Sequence, residues 1–338
     1  MRRPVVWIIG LVVVAAPAAR ADDERFVRDE PWFPVAARPG PTLTAGTDLL
    51  YVRPYLTNDR AFDLVRPAAG TAQSTTFTWA HTRAHRFWVE CAEPSGWGAR
   101  FGTFVFDDGS ERPDVTLVNE GIATQRVVIP PVGPAVPGVA GFAGPSAVLV
   151  AAGLGEDRMT FQSDLRIVTV DVEATFGCVT TDWALRLSGG GRYLMLRHGY
   201  RADLMNPGNG LVSESQALAF IREFTGGGPT LALFARHRIG DSALSAYASA
   251  RGSVLFGTLD ERSAFARTVS EPGSLAGVGT QSVRASAVHS ANHTVPASEL
   301  ELGVEYGGRL GWLRLFGRAG VVAQTYFNAG SATSSGGS

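Results

Sequence analysis

"ELELGVEYGGRLGWLRLFGRAG", Glu299 to Gly320, sets Glu299, Glu301 and Glu305 on one parity and Leu300, Leu302, Val304 and Tyr306 on the other. Successive side chains leave a strand on opposite faces, so a period of two marks β structure; a helix would spread these residues around its circumference. After Gly307-Gly308 the alternation resumes, with Leu313, Leu315, Ala319 and Val321 against Arg314, Arg318 and Gln324. The spacing predicts a hairpin. A register that sets Glu305 opposite Arg314 also sets Glu301 opposite Arg318, and each such pair contributes about 0.2–1 kcal/mol. A soluble sheet turns its leucines to a core and its charges to water, whereas a membrane barrel turns the first to lipid and the second to its lumen.

The same alternation recurs along the chain. Val168, Val170, Val172, Ala174 and Phe176 oppose Thr169, Asp171, Glu173 and Thr175; Trp183, Leu185, Leu187, Tyr193 and Met195 oppose Asp182, Arg186, Ser188 and Arg192. Leu244, Ala246, Ala248, Ala250, Val254 and Phe256 alternate with Ser245, Ser249, Arg251 and Ser253. Phe220 to Arg238 is less regular, because Arg222 and Arg236 share parity with Phe224 and Phe234, and a bulge at Gly226-Gly227-Gly228 could switch its faces. Leu43 to Val52, Thr75 to Cys91, and Trp97 to Phe106 complete nine strands.

Connections alternate in length. Long ones span Arg53 to Ser74, Asp107 to Arg158, Gly199 to Leu218 and Thr258 to Thr294; short ones fall at Glu93 to Gly96, Gly177 to Thr181, Ile239 to Ser242 and Gly307 to Gly311. Tight turns on one rim and long loops on the other are the plan of an outer-membrane barrel, and crossing the hydrocarbon layer takes about 9–11 tilted residues. The expected fold is an antiparallel transmembrane β-barrel of about ten strands over 43–327, nine of them visible and the closing C-terminal strand missing. Either the chain is a fragment or a strand lies hidden, with Ile122 to Ile129 the candidate. Closure is required, because an open edge in lipid costs several kcal/mol per unpaired group.

Composition agrees with a barrel: of 338 residues 45% are hydrophobic and only 18% charged, with 40 glycines and a formal net charge of −1. Without a basic stripe no nucleic-acid partner is expected. "MRRPVVWIIGLVVVAAPAARA" reads as an export signal over 1–21, with Arg2-Arg3 at the start, Val5 to Ala16 as the apolar middle and Ala19-Arg20-Ala21 as the cleavage site. Residues 22–42 then form an N-terminal periplasmic segment and 328–338 an incomplete Gly/Ser-rich loop. Export permits a disulfide between Cys91 and Cys178, but spacing does not pair them. Val127 to Gly155 is uncharged yet interrupted by five prolines, so it reads as a loop, with a helical turn at Ser146 to Ala152, rather than a membrane helix.

Several blocks resemble the Legionella-type pore-forming outer-membrane protein family, and its planctomycete branch in particular. They are "GWGARFGTFVFD", "VDVEATF" followed by "WALRLSGGGRYLML", "EFTGGGPTLAL" followed by "ARGSVLFG", and the stretch from Glu299 on to Phe327. The resemblance implies a signal-bearing barrel that sits in a bacterial outer membrane and forms pores. It also implies a chain that continues past the Gln324 region to a last strand.

No residue pattern points to catalysis, a cofactor or a metal. Gly189 to Gly191 and Gly226 to Gly228 precede no Lys-Ser/Thr, and His81/His85 and His289/His293 stand about 13 Å apart on strands. An enzyme is not expected. The functional expectation is passive passage of small solutes or ions through a charged lumen lined by Asp171, Glu173, Arg186, Arg192, Arg251, Glu299, Glu301, Glu305, Arg314 and Arg318, with membrane lipid outside. The alternative is a non-conducting structural or adhesion barrel whose long loops bind partners.

Overall fold

The computed structural model describes residues 5–18, 41–56, 60–66, 71–110, 113–119, 126–129, 147–150, 155–180, 182–206, 213–240, 242–270, 280–310 and 313–329. The strands are β1 (Val5–Ala18), β2 (Thr42–Leu56), β3 (Arg60–Arg66), β4 (Thr71–Thr76), β5 (Thr82–Ala92), β6 (Trp97–Gly109), β7 (Asp114–Asn119) and β8 (Arg126–Ile129). They continue as β9 (Ala147–Val150), β10 (Gly155–Val179), β11 (Trp183–Asn206), β12 (Ser213–Arg238), β13 (Leu244–Ser270), β14 (Gln281–Leu310) and β15 (Leu313–Phe327). β2, β5, β6 and β10 to β15 are the nine strands read from the alternation. They pair antiparallel around a sheet whose β10 and β11 edges also join, and β7 continues the line of β6 along β10. A small second sheet runs β4-β3-β8-β9.

The ring is closed by β1 rather than by a C-terminal strand: Val5–Ala18, the apolar middle of the expected export signal, pairs with β15 along its whole length and with β2 over Val6–Val14. Every residue of β1 is apolar, so this strand has no polar row to set beside its neighbours' alternation. The candidate hidden strand fell partly right. Arg126–Ile129 is a strand, but it pairs with β3 and β9 in the small second sheet and not in the ring.

Outward faces show where the membrane lies. On β10 the outward row is polar from Arg158 through Arg166 and apolar from Val168 to Phe176. On β11 the apolar row runs from Trp183 to Tyr193. Ten steps at about 3.3 Å, tilted by about 45°, give about 23 Å, close to the lipid-facing band of about 25 Å. Aromatic rings edge this band at the short turns: Trp97, Phe176, Trp183 and Tyr306 all face out, the first two with ring centroids 5.1 Å apart.

Four expectations are corrected. The connections over 199–218 and 258–294 are mostly strand, because alternation persists above the membrane with Ala, Ser, Thr and Arg once no lipid demands apolar residues. Ala147–Val150 is a strand, not a helical turn. β12 and β13 keep one register across Gly226–Pro229, so no bulge switches faces, and Phe220, Arg222, Phe224, Phe234 and Arg236 all point inward. The last hairpin turns two residues later than its expected register requires, which slips the pairing by four: Glu305 faces Arg318, Glu301 faces Val322, and Arg314 faces Arg309. A slip of four is even, so every side chain keeps its face. Residues 1–4, 19–40 and 330–338, on which the cleavage site and most of both terminal segments fall, lie outside the described residues.

Candidate functional site in the barrel lumen

Each spanning strand delivers its inward polar residues to one narrow interior. Asp171 and Glu173 on β10, Arg186 and Arg192 on β11, Arg251 on β13, Glu299, Glu301 and Glu305 on β14, and Arg318 on β15 all stand inside the barrel. The Arg314 side chain lies outside the described residues. Sequence reading missed further residues of the same rows: Asp48 on β2, Arg86, Trp88 and Glu90 on β5, Arg100 on β6, Arg236 on β12 and Tyr247 on β13. Arg86 and Glu90 share parity with the buried Ala84 and Trp88, so the period-two signal was there.

Only part of this charge pairs between neighbouring strands. Arg192 donates to both carboxylate oxygens of Asp171, its partner in register, at 2.6 and 2.9 Å. Glu305 accepts from Arg318 on the adjacent β15. Arg86 on β5 likewise binds Asp48, its partner in register on the adjacent β2, and also crosses the lumen to Glu299 and Glu301 on β14 at 3.0 and 2.7 Å. Arg186 on β11 reaches Glu90 on β5, and Arg251 on β13 reaches Asp171 and Glu173 on β10. Arg236 on β12 meets Glu305 on β14 at 2.8 Å, and between the adjacent β13 and β14 the Tyr247 hydroxyl donates to Glu301 at 2.9 Å. The ladder of neighbours is thus joined by cross-braces, because ten strands make a barrel narrow enough for arginines to reach the opposite wall. The cavity left among these side chains measures about 50 Å³.

Above the apolar band the interior changes character. Phe104, Phe106, Phe161, Leu165, Leu194, Leu196, Phe220 and Phe224 form a hydrophobic core inside the barrel. The chain between β2 and β5 folds into it: Phe62 stacks on Phe161 at 4.5 Å, Phe77 meets Tyr200 edge-on at 5.8 Å, and the Tyr200 hydroxyl donates to the Ala61 carbonyl at 2.7 Å. Beside this core, Ser163 and His198 share a hydrogen bond of 2.7 Å between Oγ and Nε2. Burial, with Arg222 near by, pushes the His198 imidazole down to about 3. Cys91 and Cys178 are exposed and unpaired. Among the described residues no cluster of His, Cys, Asp and Glu could hold a metal ion.

The family model described as "Legionella pneumophila major outer membrane protein precursor" matches residues 41–337. The chain belongs to that family. It is an outer-membrane β-barrel protein, in agreement with the apolar band and the antiparallel ring. Among solved structures it is similar to the outer membrane protease OmpT of Escherichia coli, at 8% identity over 96% of both chains and a TM-score of 0.33. It is also similar to a Pseudomonas aeruginosa FadL homologue, at 10% identity over 97% of this chain and 89% of that one, with a TM-score of 0.21. The toluene transporter TodX of P. putida follows at 8% identity over 97% and 90%, with a TM-score of 0.15. These low scores add nothing to the family match. No curated protein matches the chain.

Proposed function

We propose that this member of the Legionella major outer membrane protein family is a porin-type barrel, shut in the arrangement described above, that passes small solutes or ions when its lumenal pairs part. The observation that carries the reading is the cavity of about 50 Å³ lined by guanidinium and carboxylate groups, most of them engaged with one another. About 10–15 Å³ of such space holds one water, so this cavity suits a few waters and is no open channel. Its walls are side chains rather than backbone, and the pairs can exchange partners. Arg86 alone holds three carboxylates, so losing one contact leaves it two.

Residues 1–21 act in this reading as an export signal that is removed. Cleavage takes β1 out of the ring, and the unpaired edges of β15 and β2 then require another strand, since lipid offers no hydrogen bonds.

The test is single-channel conductance of the full chain in planar bilayers. Wild-type protein should show small, infrequent openings, and Arg86→Ala combined with Glu301→Ala should raise open probability several-fold by cutting the brace from β5 to β14. The same closed lumen favours a second reading, a structural or adhesion barrel. Silence from both folded proteins would reject the pore and select it.

A further inference from the structure

We propose that the lumenal cavity beside Arg100 is a binding site for a small inorganic anion of halide size. The inference rests on the shut lumen proposed above and adds an occupant to it. Arg100 stands in register between two carboxylates, Glu173 on β10 and Glu90 on β5. Both are already engaged. Glu90 accepts from Arg186, and Glu173 is held by Arg251 and by the Ser188 hydroxyl at 3.2 Å. Arg86, Arg186, Arg192, Arg236, Arg251 and Arg318 each make an ion pair in the lumen; Arg100 makes none among the described residues. Its contact is the face of the Trp88 ring, 5.0 Å from the guanidinium carbon.

The pairing around the cavity points the same way. Six arginines line it, and all but Arg100 hold a carboxylate: Arg86 and Arg192 those of Asp48, Asp171, Glu299 and Glu301, and Arg186, Arg251 and Arg318 those of Glu90, Glu173 and Glu305. Trp88, which also lines it, carries a buried Nε1–H with no acceptor among the described residues. A partly buried guanidinium held in no ion pair is unfavourable, and an anion supplies a direct partner for Arg100 and an acceptor for Trp88. About 50 Å³ admits a halide ion with a water and excludes a sugar or an amino acid.

The full chain, refolded in detergent, is unfolded thermally in sodium chloride and in sodium gluconate at equal ionic strength. Chloride should raise the midpoint above gluconate in a saturable way; Arg100→Gln should abolish the difference and Arg100→Lys should keep part of it. Equal midpoints for the wild type, or an undiminished chloride effect in Arg100→Gln, would overturn the site. Should Arg100→Gln not fold, the ³⁵Cl line width of the folded wild type decides. Broadening that bromide reverses supports the site, and a width equal to that of the unfolded chain rejects it. A chloride effect in a barrel silent in bilayers leaves the anion site standing while the pore reading falls; conduction without a chloride effect does the reverse.

Discussion

His198 shows how one residue couples the upper core to pH. It is 3% exposed, beyond the apolar band of β11, with its Nε2 bonded to Ser163. Its folded pKa lies near about 3, well below the unfolded value of about 6.5, because burial and then Arg222 disfavour the charged ring. Between those two values the unfolded chain binds more protons, so stability is lost as pH falls from about 6.5 toward about 3, at about 1.4 kcal/mol per pH unit. Urea unfolding in detergent should show that slope in the wild type and a shallower one in His198→Gln. An equal slope in both would assign the acid sensitivity to other groups. Gly190 makes a different point about single residues. A Cβ there would stand 2.0 Å from the Val172 carbonyl oxygen, so this member of the Gly189 to Gly191 run is needed for close strand approach. Its sequence signal is three glycines in a row, which does not say which one is essential.

At the scale of elements, the alternation located all nine spanning strands and, β12 apart, which face their residues take, and it misplaced what the period does not constrain. The β14–β15 turn is the clearest case. Glu305 paired with Arg314 and Glu305 paired with Arg318 put the same residues inside and the same residues outside, so parity alone cannot choose between them. A cross-link can. In a background of Cys91→Ser and Cys178→Ser, Val304→Cys with Ala319→Cys should oxidise readily, since those residues face each other. Val304→Cys with Leu315→Cys, the pair that the Glu305–Arg314 register would oppose, should not, because four residues of strand put the second site about 13 Å away. Efficient cross-linking of the second pair alone would restore the earlier turn. The long connections were misread for a related reason. Above the membrane the outward row is free to be polar, as Arg158, Arg166, Arg197 and Arg201 are, so the strands continue where their apolar signature stops.

For the whole molecule the deciding quantity is what touches the outer band. Val172 is 61% exposed and lies at the centre of the apolar row of β10. If lipid covers it, Val172→Arg costs about 2–4 kcal/mol at the bilayer midplane. Folding yield into vesicles should therefore fall for Val172→Arg and not for Gln162→Arg, which sits in the polar row above. Equal yields would mean that water, not lipid, meets that face. The sequence carried the fold class, the inward and outward rows and the charged nature of the lumen, because a strand's two faces are a local property that repeats every second residue. It did not carry which guanidinium meets which carboxylate. Arg86 reaches Glu299 and Glu301 from 213 and 215 residues away, across an interior whose width is set by strand number and closure. Nor did it carry the loop folding into the upper core, the seat of β1 between β15 and β2, or the isolation of Arg100 between two occupied carboxylates. Those follow from side chains converging on one axis, a relation that exists only after the sheet has curled.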